Sequence, residues 1–410
     1  MQLTTRGKFL LFVTLLFLIT AWITSISTIY IAPCFCISLF IIEFFITKTL
    51  LFGLKFERVL PAEAYEDDRI VISLFIHNRS IYPKPFIRIE DLFTAEEEGK
   101  QQQKIIVIGV QPNSRVECEY RVNCYKRGVY KIGPCQVTVT TSRQLFVNTK
   151  TYNIFSRFVV YPRTFKIKYF SLFIRGTLPR FGEQTSRLSG DYEEFYGIRE
   201  YHHEDGWRRI HWRSTARQSK LMVKHFEQSA RCEFTIIIDA KRGHNIGSGK
   251  ETTLEYAVKI AASLAKYLTD KKVFVQLIVG SKNPIIVPPD KGEYHYLKIL
   301  ERLAEVRSDG YMRLSEVINL NGCIISANST LVVFMLDNDQ ETADSFAHFI
   351  VRGISIIPII LNSASFANLT VPFPLDEQRI YLSDRLRWTG SRIYYIKQGE
   401  NLELKFIFAA

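Results

Sequence analysis

Residues 9–53 are almost continuously apolar, and this run constrains the chain more than any other feature. Residues 9–26 form one candidate span and residues 28–47 a second. Ser25, Ser27 and Thr28 lie in a tight polar turn between them. Each run is long enough to cross about 30 Å of hydrocarbon. No small-residue cleavage site follows the first run and a second begins at once, which argues against a cleaved signal peptide. Arg6 and Lys8 flank the entry, and Lys48, Lys55 and Arg58 flank the exit. The turn carries no charge. The positive-inside rule then puts both ends, and everything after them, in the cytoplasm, with Trp22 and Tyr30 near the outer interface. A carboxyl inside a span points by default to function, but Glu43 lies near the cytoplasmic end, where it can reach headgroups, and reads as structural.

The 410 residues exceed what one core accommodates, and a hydrophobic fraction of 47% argues against pervasive disorder. The expected division is a two-helix anchor over 1–54, a β-sandwich-like domain over 55–163, a connecting segment over 164–230 and an α/β domain over 231–410. In the second part, apolar and polar residues alternate over 69–77, 86–92, 104–110, 115–125, 128–132 and 136–141, between clusters of Asn, Pro, Gly and Ser. Nothing there looks catalytic. The net charge of +12 suits an anionic membrane surface or nucleic acid, or is simply solvated. With spans present and no nucleic-acid motif, the bilayer is the expected partner and nucleic acid is not. Seven cysteines without a CxxC pair suit a reducing compartment rather than a zinc knuckle or disulfide framework.

Residues 190–227 carry the most specific pattern. Glu194 precedes a Phe; Arg199, Glu200 and Tyr201 follow as a run, then Asp205, then Arg208. Ile210-His211-Trp212 and Ser214-Thr215-Ala216-Arg217 complete the pattern. Arginines interleaved with carboxylates make a geometrically defined network. It reads as a salt-bridged clasp or as a surface for an acidic or phosphate-bearing partner. The order and spacing closely resemble the signature of the bacterial "domain of unknown function 58" family, which has Ile-His-Trp or Ile-Asp-Trp at this place. Residues 126–134 and the paired spans are similar to that family too; Glu204 departs from its usual Gly. His202 and His203 lack the spacing of a zincin helix, since Trp207 stands where the second His would be.

From residue 232 onward strands and helices alternate, as in a doubly wound, mainly parallel sheet with ligand sites at the strands' carboxyl ends. Strands are expected over 234–239, 273–280, 331–337 and 354–361, and helices over 253–269, 294–306 and 342–351. The order resembles a von Willebrand factor A domain. That resemblance implies a divalent-ion loop, Asp-x-Ser-x-Ser, after the first strand, helped by a Thr and an Asp from later loops; hard cations want oxygen ligands. Here Asp239 is kept, both serines are lost, and Lys241 brings an ammonium to a hydroxyl's place, while Asp337 and Asp339 stand later. The loop reads as degenerate, and neither metal nor cofactor is expected. Gly247-Ser248-Gly249-Lys250 imitates a P-loop but has His244 and Glu251 where Gly and Ser/Thr are required.

No nucleophile–base pairing is visible, so the expected function is non-enzymatic: a membrane-tethered interaction or adaptor protein. The family resemblance implies a MoxR-type AAA+ ATPase as partner. The alternative is an anion-binding sensor or enzyme built on the arginine-rich signature.

Overall fold

The computed structural model describes residues 1–24, 26–96, 100–168, 170, 186–201, 207, 210–228, 233–326, 329–336, 339–367 and 393–408, with backbone alone at 186–197, 224–228, 340 and 407–408. The chain divides into two compact units, Met1–Arg163 and Thr164–Ala410.

The first unit opens with a two-residue strand, β1 (Gln2–Leu3), then helix α1 (Thr5–Thr24), a 3-10 turn (Ser27–Tyr30) and helix α2 (Ile31–Thr49). Both helices are long and apolar enough to cross a membrane. They expose most of their large apolar side chains, among them Phe9, Phe12, Trp22, Phe35 and Phe45. A water-soluble bundle would bury such a face. The second helix starts three residues later than the apolar run suggests, because the uncharged turn continues through Tyr30, and it ends two residues later.

The β strands follow: β2 (Leu54–Val59), β3 (Arg69–Asn78), β4 (Lys84–Leu92), β5 (Gln102–Val110), β6 (Ser114–Asn123), β7 (Gly128–Ile132), β8 (Cys135–Thr140), β9 (Phe146–Tyr152) and β10 (Ser156–Val160). They form an antiparallel sheet in the order β1-β9-β8-β4-β5, a second in the order β2-β3-β6, and a β10-β7 pair. Strict alternation makes one face of each strand apolar. Ile70, Ile72, Leu74 and Ile76 of β3 meet Ile87 and Ile89 of β4 and Val137 and Val139 of β8 in one buried core. This two-layer burial is compatible with a β-sandwich. Burial pushes the Cys124 and Cys135 thiols up to about 12, so neither is a nucleophile at neutral pH.

Inside this core lies a buried ion pair. Arg58 of β2 and Asp91 of β4 are bonded through two guanidinium nitrogens, and both side chains are wholly covered. The remaining donor reaches the carbonyls of Ile132 and Ile154 at 3.3 and 3.2 Å and the Ser156 hydroxyl at 3.3 Å. Tyr120 of β6 donates to Asp91 at 2.6 Å. Burial first, then the Asp91 charge, raises the Tyr120 pKa and keeps the phenol protonated. Gly133 permits the arrangement: a Cβ there would stand 2.2 Å from the Ile154 carbonyl oxygen, and its φ is +105°. Arg58 is therefore not a flanking membrane charge, as its position in the sequence suggests, but half of a core pair.

The helices are fixed to this unit. β1 pairs antiparallel with β9, Leu3 opposite Phe146. Thr4 donates its backbone N–H to Leu145 at 3.0 Å. Glu43, 3% exposed, accepts from the Thr141 hydroxyl and from Arg143 at 3.2 Å. Phe40 and Phe44 of α2 each meet Phe146 edge-on at 5.8 Å.

In the second unit, β11 (Ser186–Glu200), helix α3 (Trp212–Gln218) and β12 (Met222–Gln228) precede β13 (Glu233–Ile238). A small hairpin, β14 (Gly247–Ser248) with β15 (Glu251–Thr252), leads into α4 (Thr253–Asp270). Then come β16 (Phe274–Val279), β17 (Ile285–Asp290), α5 (Glu293–Glu305), α6 (Leu314–Leu320), β18 (Thr330–Leu336), α7 (Gln340–Val351), β19 (Ser355–Leu361), α8 (Ser363–Phe366), β20 (Tyr394–Ile396) and α9 (Leu402–Phe408). The main sheet runs β17-β16-β13-β18-β19-β20, parallel except for β17. Every residue of β13 is buried, as a strand covered on both faces requires. Ile237, Leu331, Val333 and Met335 pack with α6 and α7; Phe334 shares a cavity with Leu254 and Ala257 of α4 on the opposite face. Edge strand β17 carries Pro288 and Pro289, which a central strand could not hold.

Removing one member of the buried pair strands the other charge. Asp91→Ala is expected to destabilise the chain by about 3–5 kcal/mol. Arg58→Met combined with Asp91→Leu should lie closer to wild type than either single variant. Denaturant unfolding of the purified chain in detergent measures both; equal losses in single and double variants would contradict the pairing.

Candidate functional site

Two places gather the residues singled out by sequence. The first is the carboxyl end of β13, at the centre of the sheet. Counted along the chain, the strands lie in the order 3-2-1-4-5-6, so the order of strand addition reverses between the parallel neighbours β13 and β18. Ligands bind in such a crevice in open α/β sheets. Asp239, the residue after β13, projects there with 9% of its side chain exposed.

Both Asp239 oxygens are occupied by the chain itself. Oδ1 accepts the Lys241 backbone N–H at 2.9 Å, and Oδ2 lies 2.5 Å from His244 Nδ1. The loop is tied down further: Ser308 donates to the Lys241 carbonyl at 2.9 Å, Lys241 bridges to Gly310, and Thr253 donates to the His244 carbonyl at 3.1 Å. Asp239, His244, Thr253, Phe334 and Leu361 line a cavity of about 20 Å³, room for about one water. His244, not the Lys241 ammonium, is the group that engages Asp239. Sequence reasoning treated His244 only as a broken P-loop position. Its spacing of five from Asp239 gave no signal, since only the folded loop brings the two together. Gly247 and Ser248, from the same false P-loop, pair with Thr252 and Glu251 as a hairpin.

Strand β18 ends at Leu336, and Asp337 lies outside the described residues. Asp339 is not on a strand. It caps α7, accepting from the Thr342 N–H at 3.1 Å and its hydroxyl at 2.6 Å, with Thr342 fully buried. Among the described residues no cluster of His, Cys, Asp and Glu has the makings of a metal site. Tyr256 in α4 donates to Glu251 at 2.6 Å, and burial followed by that bond pushes its pKa up to about 12.

The second place is the signature segment. β11 and β12 pair antiparallel, with Arg199 opposite Val223 and Glu200 opposite Met222. Tyr201 and His211 extend the ladder, donating to the Leu221 and Met222 carbonyls at 2.9 and 2.8 Å. Glu194 lies on β11, where the backbone alone is described. Asp205 and Arg208, like His202, His203 and Glu204, lie outside the described residues. Arg199 donates to the Glu200 carbonyl at 3.2 Å, and Glu200 accepts from Lys220 at 2.9 Å. That bond, then the Glu200 charge, raises the Lys220 pKa. Ile210, Met222 and Val223 are buried. Trp207 and Trp212 are 71% and 66% exposed, and Arg217 is also exposed.

His211 has a definite local role. It is the N-cap of α3: Nδ1 accepts the Ser214 N–H at 3.2 Å and lies 2.9 Å from the Ser214 hydroxyl. Accepting that N–H requires an unprotonated Nδ1. Ser219, with φ +54°, closes the helix in the left-handed region. The His-or-Asp alternation in the signature that this segment resembles then has a physical reason, because both side chains accept at an N-cap.

Three tests follow from these geometries. His211→Asp is expected to keep the melting temperature, whereas His211→Ala should cost about 0.5–2 kcal/mol. His244→Ala removes a partner of a carboxylate and should cost about 1.5–3 kcal/mol. Magnesium or manganese titrated into the intact chain should give no saturable heat, and chelator should leave its melting temperature unchanged.

Comparison with known proteins adds one family. No curated protein matches the chain significantly. Among solved structures, a CARDB domain from Pyrococcus furiosus in complex with di-metal ions is 14% identical. It covers 27% of this chain and 87% of its own, with a TM-score of 0.20. The human seminal-plasma complex of zinc 2-glycoprotein and prolactin inducible protein is 10% identical over 27% of this chain and 94% of that one, with a TM-score of 0.21. Scores this low leave the fold to be read from the chain itself. Residues 197–320, which run from the end of β11 to the end of α6, match the family described as "Protein of unknown function DUF58", and this match supports that family for the chain.

Proposed function

We propose that the chain is a non-enzymatic adaptor: a multi-pass membrane protein whose soluble units face the cytoplasm and present an interaction surface beside a closed, von Willebrand factor A-like ligand loop. The observation that carries this reading is the occupation of Asp239 by His244 and by the Lys241 N–H. A carboxylate with both oxygens bonded within its own loop, beside a cavity of about 20 Å³, offers little to a metal or a substrate. The 3-2-1-4-5-6 strand order, with an Asp after the first strand, supports the von Willebrand factor A-like assignment.

The interaction surface is the signature hairpin. Tryptophan is enriched at the energetic centres of interfaces, and two tryptophans stand exposed on this short stretch. Arg199, Glu200, Tyr201 and Arg217 surround them in sequence, with Glu194, Asp205 and Arg208 completing the pattern. By the family resemblance, the partner is a MoxR-type AAA+ ATPase. The cytoplasmic orientation rests on Arg6, Lys8, Lys48 and Lys55, all exposed at the two helix ends that lie on one side. Arg58 no longer counts toward it.

Affinity capture from native membranes tests the reading. Wild type should retain an ATPase that Trp212→Ala loses by about tenfold or more, the scale of a central interface residue, at an unchanged melting temperature. Loss of partner and stability together would make the signature a structural clasp. Protease added outside intact spheroplasts should leave residues 60–410 whole.

A further inference from the structure

We propose that the membrane-proximal end of the β unit is itself a lipid-binding surface, in which Phe52, Ile81 and Tyr82 enter the boundary between headgroups and acyl chains of an anionic bilayer. This rests on the reading of α1 and α2 as membrane spans and adds to it a third, non-spanning contact.

The depth of the unit follows from Glu43. Helix α2 has 19 residues, so it is about 28 Å long. The hydrocarbon core is about 30 Å thick. With the 3-10 turn that precedes it the span is 23 residues, Ser27–Thr49, and exceeds the core by about 6 Å at most, so its last residue, Thr49, lies at or just outside the interface. Glu43 is six residues earlier, hence about 9 Å deeper. The groups that satisfy its carboxylate, Thr141 and Arg143, belong to the loop between β8 and β9. That loop therefore reaches into the membrane boundary, and the end of the β unit that carries it lies among the headgroups.

At the same end, the chain leaves α2 through a turn in which Phe52 donates to the Thr49 carbonyl at 3.0 Å. Gly53, with φ +76°, then accepts from the Arg79 N–H at 2.8 Å, which places the loop between β3 and β4 beside the helix exit. Asn78 organises that loop. It is 1% exposed and donates to the carbonyls of Tyr82 at 3.0 Å and Gln111 at 2.9 Å. It also accepts from the Ser80 hydroxyl at 2.7 Å. The loop is thus held in a shape that turns Ile81 and Tyr82 outward, 71% and 62% exposed, next to Phe52 at 82%. An aromatic and aliphatic cluster this exposed is costly in water. Lys48, Lys55 and Arg79 lie within four residues of these side chains along the chain, all exposed. Exposed apolar side chains flanked by basic ones are the pattern of interfacial membrane contact.

The test uses the full chain reconstituted in vesicles of mixed zwitterionic and anionic lipid, with bromine quenchers placed shallow or deep in the acyl chains. Added tryptophan emission is read as the difference from wild type in three single variants. Phe45→Trp reports the lipid-facing side of α2. Ile81→Trp reports the loop. Val59→Trp reports the far end of β2, about 20 Å from Gly53 along the strand. The proposal expects Phe45→Trp and Ile81→Trp to lose most of their added emission, the latter to the shallow quencher only, and Val59→Trp to keep its own. Quenching at Phe45→Trp without quenching at Ile81→Trp leaves the spans standing and overturns the loop contact. Equal quenching at Ile81→Trp and Val59→Trp means general adsorption and also overturns it. Quenching at none of the three removes the membrane reading and this contact with it.

Discussion

Arg58 and Asp91 have no contact with water, and every strand system of the first unit reaches them. The arginine comes from β2, the aspartate from β4, the supporting phenol from β6, and the carbonyls and hydroxyl that fill the remaining donor from β7, β10 and the turn between β9 and β10. Charges taken out of water are tolerated only where geometry satisfies all their valences. The pair therefore joins β2, β4, β6, β7 and β10 through bonds of defined direction, whatever it adds to stability. An apolar core of the same volume would bury as well but would leave the two sheets freer to slide, since hydrophobic contact is non-directional.

The second unit solves a similar problem at Asp239. A carboxylate at the centre of a parallel sheet's carboxyl edge needs partners, and in this chain a histidine five residues on and a backbone N–H supply them. Asp339, which the sequence suggested as a companion, instead caps α7 together with Thr342. Two acids that look like a ligand set in one dimension hold two separate pieces of backbone in three.

Much of the architecture was legible because period and burial coincide. Alternation located β3 through β8, and continuous apolar runs located β13, β16, β18 and β19 to within a residue or two. Strands without such patterns were missed. β9 is polar on one side and only half-covered on the other, β17 contains two prolines, and β20 has three residues. Sites were less legible. His211 looked like a signature residue and is a helix cap. His244 looked like a defect in a motif and is the partner of Asp239. Arg58 looked like a membrane-flanking charge and is buried. In each case the role depends on a neighbour distant in sequence or on a local backbone turn, neither of which residue spacing encodes. The signature's family resemblance was the exception, and the match over residues 197–320 supports it.

The pairing of Gln2 and Leu3 with Val147 and Phe146 has a consequence for assembly. A ribosome delivers β1 and both apolar helices long before β9 exists. If the helices cross the bilayer as a pair, the first residues return to the side where the β unit will emerge, and they wait there as an unpaired edge. If only one crosses, β1 is left on the opposite side, the β9 edge stays open, and an open edge is a template for aggregation. Closure of the five-stranded sheet thus depends on where the first residues end up: β1 and β9 must share a side, a condition that a crossing by one helix alone breaks.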